Sequence, residues 1–189
     1  YINKIDNNQK EIYYFSNTEL DEQNLIKSPQ LETFIDKKIP VLLMRDPVDE
    51  FWLPNIGKYK DKEFKSITKG KIDLKEKDKK ENIKNNTKEI NDLINVLKDH
   101  LKDKIKDVRI SQRLTKSPLL LIADESGMDI NMEKIMKMHN KTMGDNKKIL
   151  EINPNHEMIK KLSNSLKKLD HKKISNLLIL YLQNPILTS

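Results

Sequence analysis

A highly charged stretch in the middle of the chain, residues 69–86, constrains the fold most strongly. It consists mostly of Lys, Glu, Asp and Asn, so it has too little apolar surface to join a hydrophobic core. Apolar residues recur periodically on both sides of it. The sequence therefore predicts two folded parts, residues 1–70 and 87–189, joined by a solvated linker at residues 71–86.

The composition of the 189 residues limits the classes of protein to which the chain can belong. Apolar residues make up 36% of it, which is enough for a core, and charged residues make up 34%, which favours helices with solvated outer faces. The absence of cysteine excludes disulfides and a cysteine nucleophile, and it fits a cytoplasmic location. The longest apolar run, residues 177–182, is too short to span a membrane. Because the chain starts at Tyr1 and not at Met, we expect a fragment of a longer protein.

The net charge of +7 permits two interpretations. A basic balance is typical of nucleic-acid-binding proteins, whose affinity falls steeply with salt. The lysines here alternate with acidic residues instead of forming one patch, and stacking aromatics do not accompany them. We therefore expect neither a nucleic-acid nor a membrane partner, and a basic nucleic-acid-binding module is the alternative function.

The first part has the pattern of a small α/β unit. Residues 11–16 and 41–46 are predicted to be apolar strands. Between them, residues 29–38 form an amphipathic helix, with Ser28 as its N-cap and Pro29 at its first position. This order predicts a β-α-β crossover with parallel strands.

The rest of the first part is predicted to add one helix and one strand. Asp46 is placed to cap the helix, with Pro47 at its first position, and Pro54 is expected to end or kink it. Residues 63–68 alternate between polar and apolar side chains, which is typical of an edge strand.

The second part is predicted to combine helices with a three-stranded sheet. Thr87 begins a helix that keeps apolar residues on one face for about five turns. Strands are expected at residues 107–114, 118–124 and 147–154. The first two should pair as a hairpin because only a short link separates them. Further helices are expected at residues 128–138, 156–169 and 172–182. The whole chain is therefore assigned to the α+β class.

No catalytic arrangement is recognisable in the sequence. The four glycines lie too far apart to form a phosphate-binding loop, and the four histidines lack a metal-binding spacing. Helix ends and surfaces are the ordinary places for such histidines. Asp49 and Glu50 are adjacent acids, which more often stabilise the first turn of a helix than act as an acid–base pair. We therefore expect no catalytic residue, no metal, no cofactor and no enzymatic activity of this chain alone.

Methionines form a stripe along the predicted helix at residues 128–138. Met128, Met132 and Met136 recur at intervals of four residues, and Ile135 stands beside them. Methionine is flexible and polarisable, so such a stripe suits a surface that binds apolar partners of variable shape. It is also typical of a helix that packs on its own sheet, and the periodicity leaves both interpretations open.

Two further apolar features are candidates for contacts with other proteins. Phe51 and the single tryptophan, Trp52, are adjacent, although a lone tryptophan is as often part of a core. The predicted helix at residues 172–182 is apolar nearly all round. Such a helix either is buried in its own domain or pairs with a partner helix.

Several motifs occur together in an order known from one family of chaperones. They are QKEIYYFS at residues 9–16, VLLMRDPVDEF at 41–51, KDVRISQRLTKSP at 106–118, ADESGMDINMEKIMK at 123–137 and ILEINPNH at 149–156. Together they cover most of the chain and resemble the heat-shock protein 90 chaperone family, bacterial HtpG type.

The resemblance implies an organisation and a function. Residues 1–70 match the C-terminal subdomain of the family's middle domain, and residues 87–189 match its C-terminal dimerisation domain. The implied partners are unfolded or partly folded client proteins and a second copy of the chain. In the full-length family protein, ATP and Mg²⁺ belong to an N-terminal ATPase domain, which we expect to be missing here.

The resemblance also assigns roles to particular residues. The client-binding residues are predicted to be Phe51, Trp52, Met128, Met132, Ile135 and Met136. The dimerisation residues are predicted to be Leu177, Leu178, Leu180, Tyr181, Leu182, Ile186 and Leu187. In the family a further segment separates the motifs that adjoin here at Tyr181 and Leu182, so either the chain is shortened or residues are missing at this point.

Overall fold

The computed structural model of the chain describes residues 1–6, 9–72, 74, 87–139 and 146–166. Most of the predicted linker at 71–86 lies outside these residues, so the division into two domains stays a prediction. The predicted helix at 172–182 also lies outside them. So do all the predicted dimerisation residues, which are Leu177, Leu178, Leu180, Tyr181, Leu182, Ile186 and Leu187.

The first sheet has four strands and is accompanied by three helices. The strands are β1 (Glu11–Ser16), β2 (Leu42–Met44), β3 (Lys58–Tyr59) and β4 (Lys62–Ser66), and the helices are α1 (Glu22–Ile26), α2 (Glu32–Asp36) and α3 (Asp49–Ile56). β1 pairs in parallel with β2 and β4, and β3 pairs antiparallel with β4. The predicted parallel pairing of the first two strands is confirmed.

The connection between β1 and β2 follows the predicted capping pattern. The Ser28 hydroxyl accepts a hydrogen bond from the backbone N–H of Gln30 at 3.3 Å, with Pro29 in the first turn. A short 3₁₀ turn leads directly into α2. Phe34 of α2 then packs edge-on against Tyr13 of β1, with ring centroids 5.0 Å apart, and both side chains are buried. This aromatic contact fixes the helix on the sheet.

Two strand predictions require correction. The segment predicted as an edge strand at residues 63–68 is β4, which lies between β1 and β3. The true edge, β3, has only two residues, both exposed, and therefore shows no apolar pattern. Lys60 and Asp61, with φ of 46° and 63°, make the tight turn that pairs β3 with β4. β2, predicted to be buried, is itself an edge strand, and its Leu43 is 36% exposed.

Helix α3 begins and ends slightly later than predicted. The Asp46 carboxylate accepts a hydrogen bond from the backbone N–H of Val48 at 3.1 Å, so it forms a turn before the helix and not its N-cap. Pro54 lies inside the helix, which continues to Ile56 and ends at Gly57. A glycine suits this end because its φ of 66° is in the left-handed region.

The second sheet has three strands, as predicted, and three helices accompany it. These elements are α4 (Thr87–Leu101), β5 (Ile105–Ile110), β6 (Leu119–Ile122), α5 (Ile130–Met138), β7 (Lys148–Ile152) and α6 (Glu157–Ser165). β7 lies in the middle, parallel to β5 and antiparallel to β6. The predicted hairpin between β5 and β6 is therefore wrong. In this central position four of the five residues of β7 are buried, on both faces of the sheet.

The core of the second sheet is formed by the apolar face of α4. Leu93, Leu97 and Leu101 recur along this face and are buried against β5, β7 and α6.

His156 caps α6 at its N-terminus, where its Nδ1 accepts a hydrogen bond from the backbone N–H of Met158 at 3.1 Å. This is the helix-end position expected for a histidine.

None of the helices in the described residues has the length and apolarity to cross a membrane. The α+β class is confirmed.

Candidate functional site

A cleft of about 550 Å³ opens between the two sheets. One wall belongs to the four-stranded sheet and α3 and carries Tyr14, Pro54 and Phe64. The opposite wall is formed by the loop after β6 and the first turns of α5, and it carries Met128 and Met132. Residues that are distant in sequence are thus brought together into one partly apolar, open site.

The two aromatic residues predicted to bind clients occupy different positions. Phe51 is 44% exposed on α3. Trp52 is half-buried behind the cleft wall, where its ring packs edge-on against Phe64 with centroids 6.4 Å apart. Its indole N–H donates to Oδ1 of Asp49 at 2.9 Å. Phe51 therefore faces solvent. Trp52 instead packs against Phe64, which lines the cleft.

The methionine stripe is neither sealed inside the protein nor fully exposed. Met128 and Met132 are half-buried in the cleft, and Met136, one turn further along α5, is also half-buried. Ile135 is only 7% exposed and packs inward, while Met138 at the end of the helix is 67% exposed. The partly exposed face of α5 is therefore formed by its methionines and not by Ile135.

Asp129 fixes the start of α5 to the four-stranded sheet. Its carboxylate caps the helix at the backbone N–H of Asn131. Both of its oxygens also accept hydrogen bonds from the Thr68 hydroxyl at 2.8 Å, and the Ser66 hydroxyl donates to the same group. Asp129 is 9% exposed, so these contacts form in a mostly dry environment, where hydrogen bonds to a charged group are strong.

Asn131 makes the second contact between α5 and the four-stranded sheet. Its Nδ2 donates to Oε1 of Glu50 at 2.9 Å and to the Ser16 hydroxyl at 3.2 Å. Its Oδ1 accepts a hydrogen bond from the Thr18 hydroxyl at 3.3 Å. Glu50 lies in the first turn of α3, as predicted, but its side chain is only 4% exposed and points to α5 instead of solvent.

Burial and neighbouring negative charge raise the pKa of two groups at this junction, Glu50 and Tyr14. Burial, followed by the negative charge of Asp129, raises the pKa of Glu50 above its ordinary value. Burial also raises the pKa of the Tyr14 hydroxyl, and the charges of Asp129 and Glu50 add to this effect. Negative charge is thus already concentrated where α3, β1 and α5 meet, and a further carboxylate there would be unfavourable.

A buried arginine joins the second sheet to the segment that follows β4. Arg113 is 1% exposed, and its guanidinium donates to the carbonyls of Ile67 and Gly70, the latter at 2.8 Å. Its Nε lies 3.0 Å from Oε2 of Glu151 on β7. Arg109 binds the same carboxylate at 2.8 Å and the same Gly70 carbonyl at 2.9 Å. Burial lowers the pKa of Arg113, and the Glu151 charge opposes this effect.

A third junction is formed by the carboxylate of Glu32 on α2. It accepts hydrogen bonds from the consecutive backbone N–H groups of Thr115, Lys116 and Ser117, at 2.8 to 2.9 Å. Consecutive N–H groups of this kind form a concave site for anionic oxygens. With Asp129, Asn131 and Arg113, Glu32 therefore holds the two sheets on either side of the cleft.

These junction residues were not predicted from the sequence. Ser66 and Thr68 are two residues apart in the strand predicted at residues 63–68, so the alternation places both hydroxyls on one face. The partner of these two hydroxyls could not be inferred, because Asp129 lies some 60 residues later in the chain. Among the described residues, no three His, Cys, Asp or Glu side chains are grouped so that they could hold a metal ion.

Known proteins similar to this chain are bacterial chaperones. The family model "Hsp90 protein" matches residues 1–189. "Chaperone protein HtpG" of Roseobacter denitrificans is 41% identical over 172 residues, which is 88% of this chain and 27% of that protein. The protein of the same name from Wolbachia pipientis wMel is 39% identical over 171 residues (87% and 27%), and that from Chlorobium luteolum is 40% identical over 163 residues (86% and 26%).

The match covers nearly the whole of this chain but only about a quarter of the length of these relatives. The order of motifs along the chain and the match to the family model over all 189 residues agree with each other. The chain therefore belongs to the Hsp90 protein family, and within it to the bacterial HtpG type.

Proposed function

We propose that the chain is part of an HtpG-type chaperone that binds partly folded client proteins in the cleft between its two sheets. The observation that carries this proposal is the position of Met128 and Met132, which face Phe64 across an open cleft. The relatives named above are all chaperones, which supports the same function. The alternative, a basic nucleic-acid-binding module, gains no support from them.

The chemistry of the cleft suits a segment of an unfolded chain. Thioether side chains adapt to apolar groups of different shape, and Phe64 offers a flat apolar surface opposite them. Lys65 and Lys69 also line the cleft and are available to polar parts of the same segment. A site that combines adaptable apolar walls with charged groups binds many sequences weakly, which is what a chaperone requires.

The other expectations drawn from the family likeness belong to the same proposal. We assign ATP and Mg²⁺ binding to parts of the longer family protein and give the described residues no catalytic step. A cytoplasmic location is proposed because the chain contains no cysteine.

Replacement of Met128, Met132 and Met136 by glutamine is expected to weaken client binding about tenfold or more, since roughly 1.4 kcal/mol of lost apolar contact produces that change. Glutamine keeps the length of the side chain and the helix propensity of α5. Fluorescence anisotropy with labelled, reduced and carboxymethylated α-lactalbumin would measure the affinity.

The matched control for this experiment is Ile26→Gln. Ile26 is 47% exposed on α1 and does not line the cleft, so the change removes one exposed apolar side chain at another place. The control should bind as the unaltered chain does. If the triple variant keeps both its far-UV circular dichroism and its affinity, the proposed binding site is wrong.

We also propose that the chain forms a homodimer through the residues predicted for this purpose. Replacement of Leu178 and Leu180 by serine should shift the sedimentation coefficient from dimer to monomer, because their apolar side chains would lose their contacts with the partner. Analytical ultracentrifugation over a wide concentration range would measure this shift. A strict monomer before any substitution would contradict the proposal.

A further inference from the structure

We propose that Asn131 is a positioning residue for client binding, whose side-chain amide holds α5 at a fixed separation from α3 so that both walls of the cleft contact the same client segment. This inference rests on the proposed function and assigns a specific task to a residue that does not line the cleft itself. Its support comes from hydrogen bonding, burial and the order of residues along α5.

The amide of Asn131 joins two segments to α5, through three hydrogen-bond partners. Nδ2 donates to Glu50 on α3 at 2.9 Å and to Ser16 at the end of β1 at 3.2 Å, and Oδ1 accepts from Thr18 beyond β1 at 3.3 Å. All three partners lie on the side of the four-stranded sheet. Asn131 is 3% exposed, so water does not compete effectively for these bonds.

The position of Asn131 in α5 links this contact to the cleft. Met132 is the next residue, about 100° further round the helix, so one residue faces the junction while its neighbour faces the cleft. A rotation or shift of α5 at Asn131 therefore moves Met132 relative to Phe64. On the same side of α5 as Asn131, Lys134 reaches Glu19 at 2.9 Å, and this more exposed ion pair offers weaker support.

The other side of α5 is attached to the second sheet. Glu133 of the helix forms an ion pair with Lys148 on β7. The helix is thus bound to β7 through Glu133 and to the four-stranded sheet through Asn131 and Asp129. Without the Asn131 contact, α5 would stay attached to β7 through Glu133 and to the four-stranded sheet through Asp129. It would lose its hydrogen bond to Glu50, so its separation from α3 would vary more.

As long as Glu50 occupies its place on α3, a neutral amide is required at position 131. It must donate to the Glu50 carboxylate and accept from the Thr18 hydroxyl at the same time, which neither a carboxylate nor an apolar side chain can do. Asp129 is close enough to raise the pKa of Glu50, so the site already holds two acidic groups. An aspartate at position 131 would have the shape of Asn131 but would replace a donor to Glu50 with a repelling charge.

The test uses Asn131→Asp, Glu50→Gln and the double variant in the full chain. Asn131→Asp is expected to weaken the binding of carboxymethylated α-lactalbumin about tenfold, because a hydrogen bond is replaced by a repulsion between like charges. In the double variant the amide introduced on α3 can donate to the carboxylate introduced on α5, which restores the bond in reverse. The affinity of the double variant should return to within about threefold of the unaltered chain.

A second measurement follows the separation of the helices without any client. Because the chain has no cysteine, nitroxide labels can be attached through single cysteines introduced at Asn55 on α3 and at Met138 on α5, both of which are exposed. Electron paramagnetic resonance should give a narrow distance distribution for the unaltered chain. It should give a broader one for Asn131→Asp and a narrow one again for the double variant.

The outcomes separate this inference from the proposed function. If Asn131→Asp leaves the distance distribution narrow, or broadens it without weakening binding, Asn131 does not position the cleft. Failure of the double variant to restore binding has the same meaning. If the triple methionine variant binds normally, the proposed client site is wrong whatever the distances show. Should Asn131→Asp fail to fold, Asn131→Ala removes the same contacts without adding charge and is expected to broaden the distances and weaken binding.

Discussion

Replacement of Glu151 by alanine is expected to lower the free energy of unfolding by about 3–5 kcal/mol, the usual effect of removing one partner from a buried ion pair. Glu151 is 3% exposed and is shared by Arg113, which is 1% exposed, and by Arg109. Without this carboxylate, two guanidinium groups would remain together in a mostly dry site. Arg113 would retain only the carbonyls of Ile67 and Gly70 as partners.

Urea unfolding followed by far-UV circular dichroism measures this effect as a lower midpoint with an unchanged slope. Fluorescence of Trp52 reports on the four-stranded sheet in the same experiment. The matched control is Glu157→Gln, which removes an acidic group from an ion pair with Lys161 that is exposed on both sides. The control should leave the midpoint almost unchanged. Equal shifts for the two variants would show that burial does not determine the strength of the Glu151 cluster.

Replacement of Leu97 by alanine is expected to lower the free energy of unfolding by about 2–5 kcal/mol, through lost apolar contact and the cavity that remains. Leu97 is fully buried in the middle of the apolar face of α4, among side chains from β5, β7 and α6. Neighbours in a core of this density relax only partly into the space left behind. The midpoint of urea unfolding, followed by circular dichroism, is the measurement.

Asn95→Ala is the control for Leu97→Ala, since it lies on the exposed side of the same helix. It should leave the stability unchanged or raise it slightly, because alanine has a higher helix propensity than asparagine. A loss of less than about 1 kcal/mol for Leu97→Ala would mean that α4 is not the main element of this core.

Local patterns predicted much of the secondary structure but not the order of the strands. The β1–α2–β2 unit was predictable because its capping residues, Ser28 and Pro29, and its apolar spacing lie within one short segment. The hairpin of β5 and β6 was predicted for the same kind of local reason, the short link between them. It is wrong because β7, nearly 30 residues further along, pairs with both strands and lies between them, with four of its five residues buried.

The candidate site was predicted in part. The spacing of Met128, Met132 and Met136 indicated a face of α5, but not whether the face was covered, since the pattern of a core helix is the same. The position of Phe64 opposite these methionines depends on tertiary contacts. The polar residues that fix the cleft, above all Asn131 and Glu50, resembled ordinary helix-surface residues. Their burial depends on partners far away in sequence, which no local pattern indicates.

The central place of β7 has a consequence for biosynthesis. β5 and β6 leave the ribosome before β7, and each needs β7 as its hydrogen-bonded neighbour. Roughly 40 residues separate the end of β5 from the end of β7, and roughly 30 separate the end of β6 from it. At about 5–20 residues per second, β5 therefore stays unpaired for about 2–8 s and β6 for about 1.5–6 s. During this interval Leu119, Leu120 and Ile122 stay uncovered in the nascent chain. A polypeptide that we propose protects others is therefore itself prone to aggregate until β7 is made.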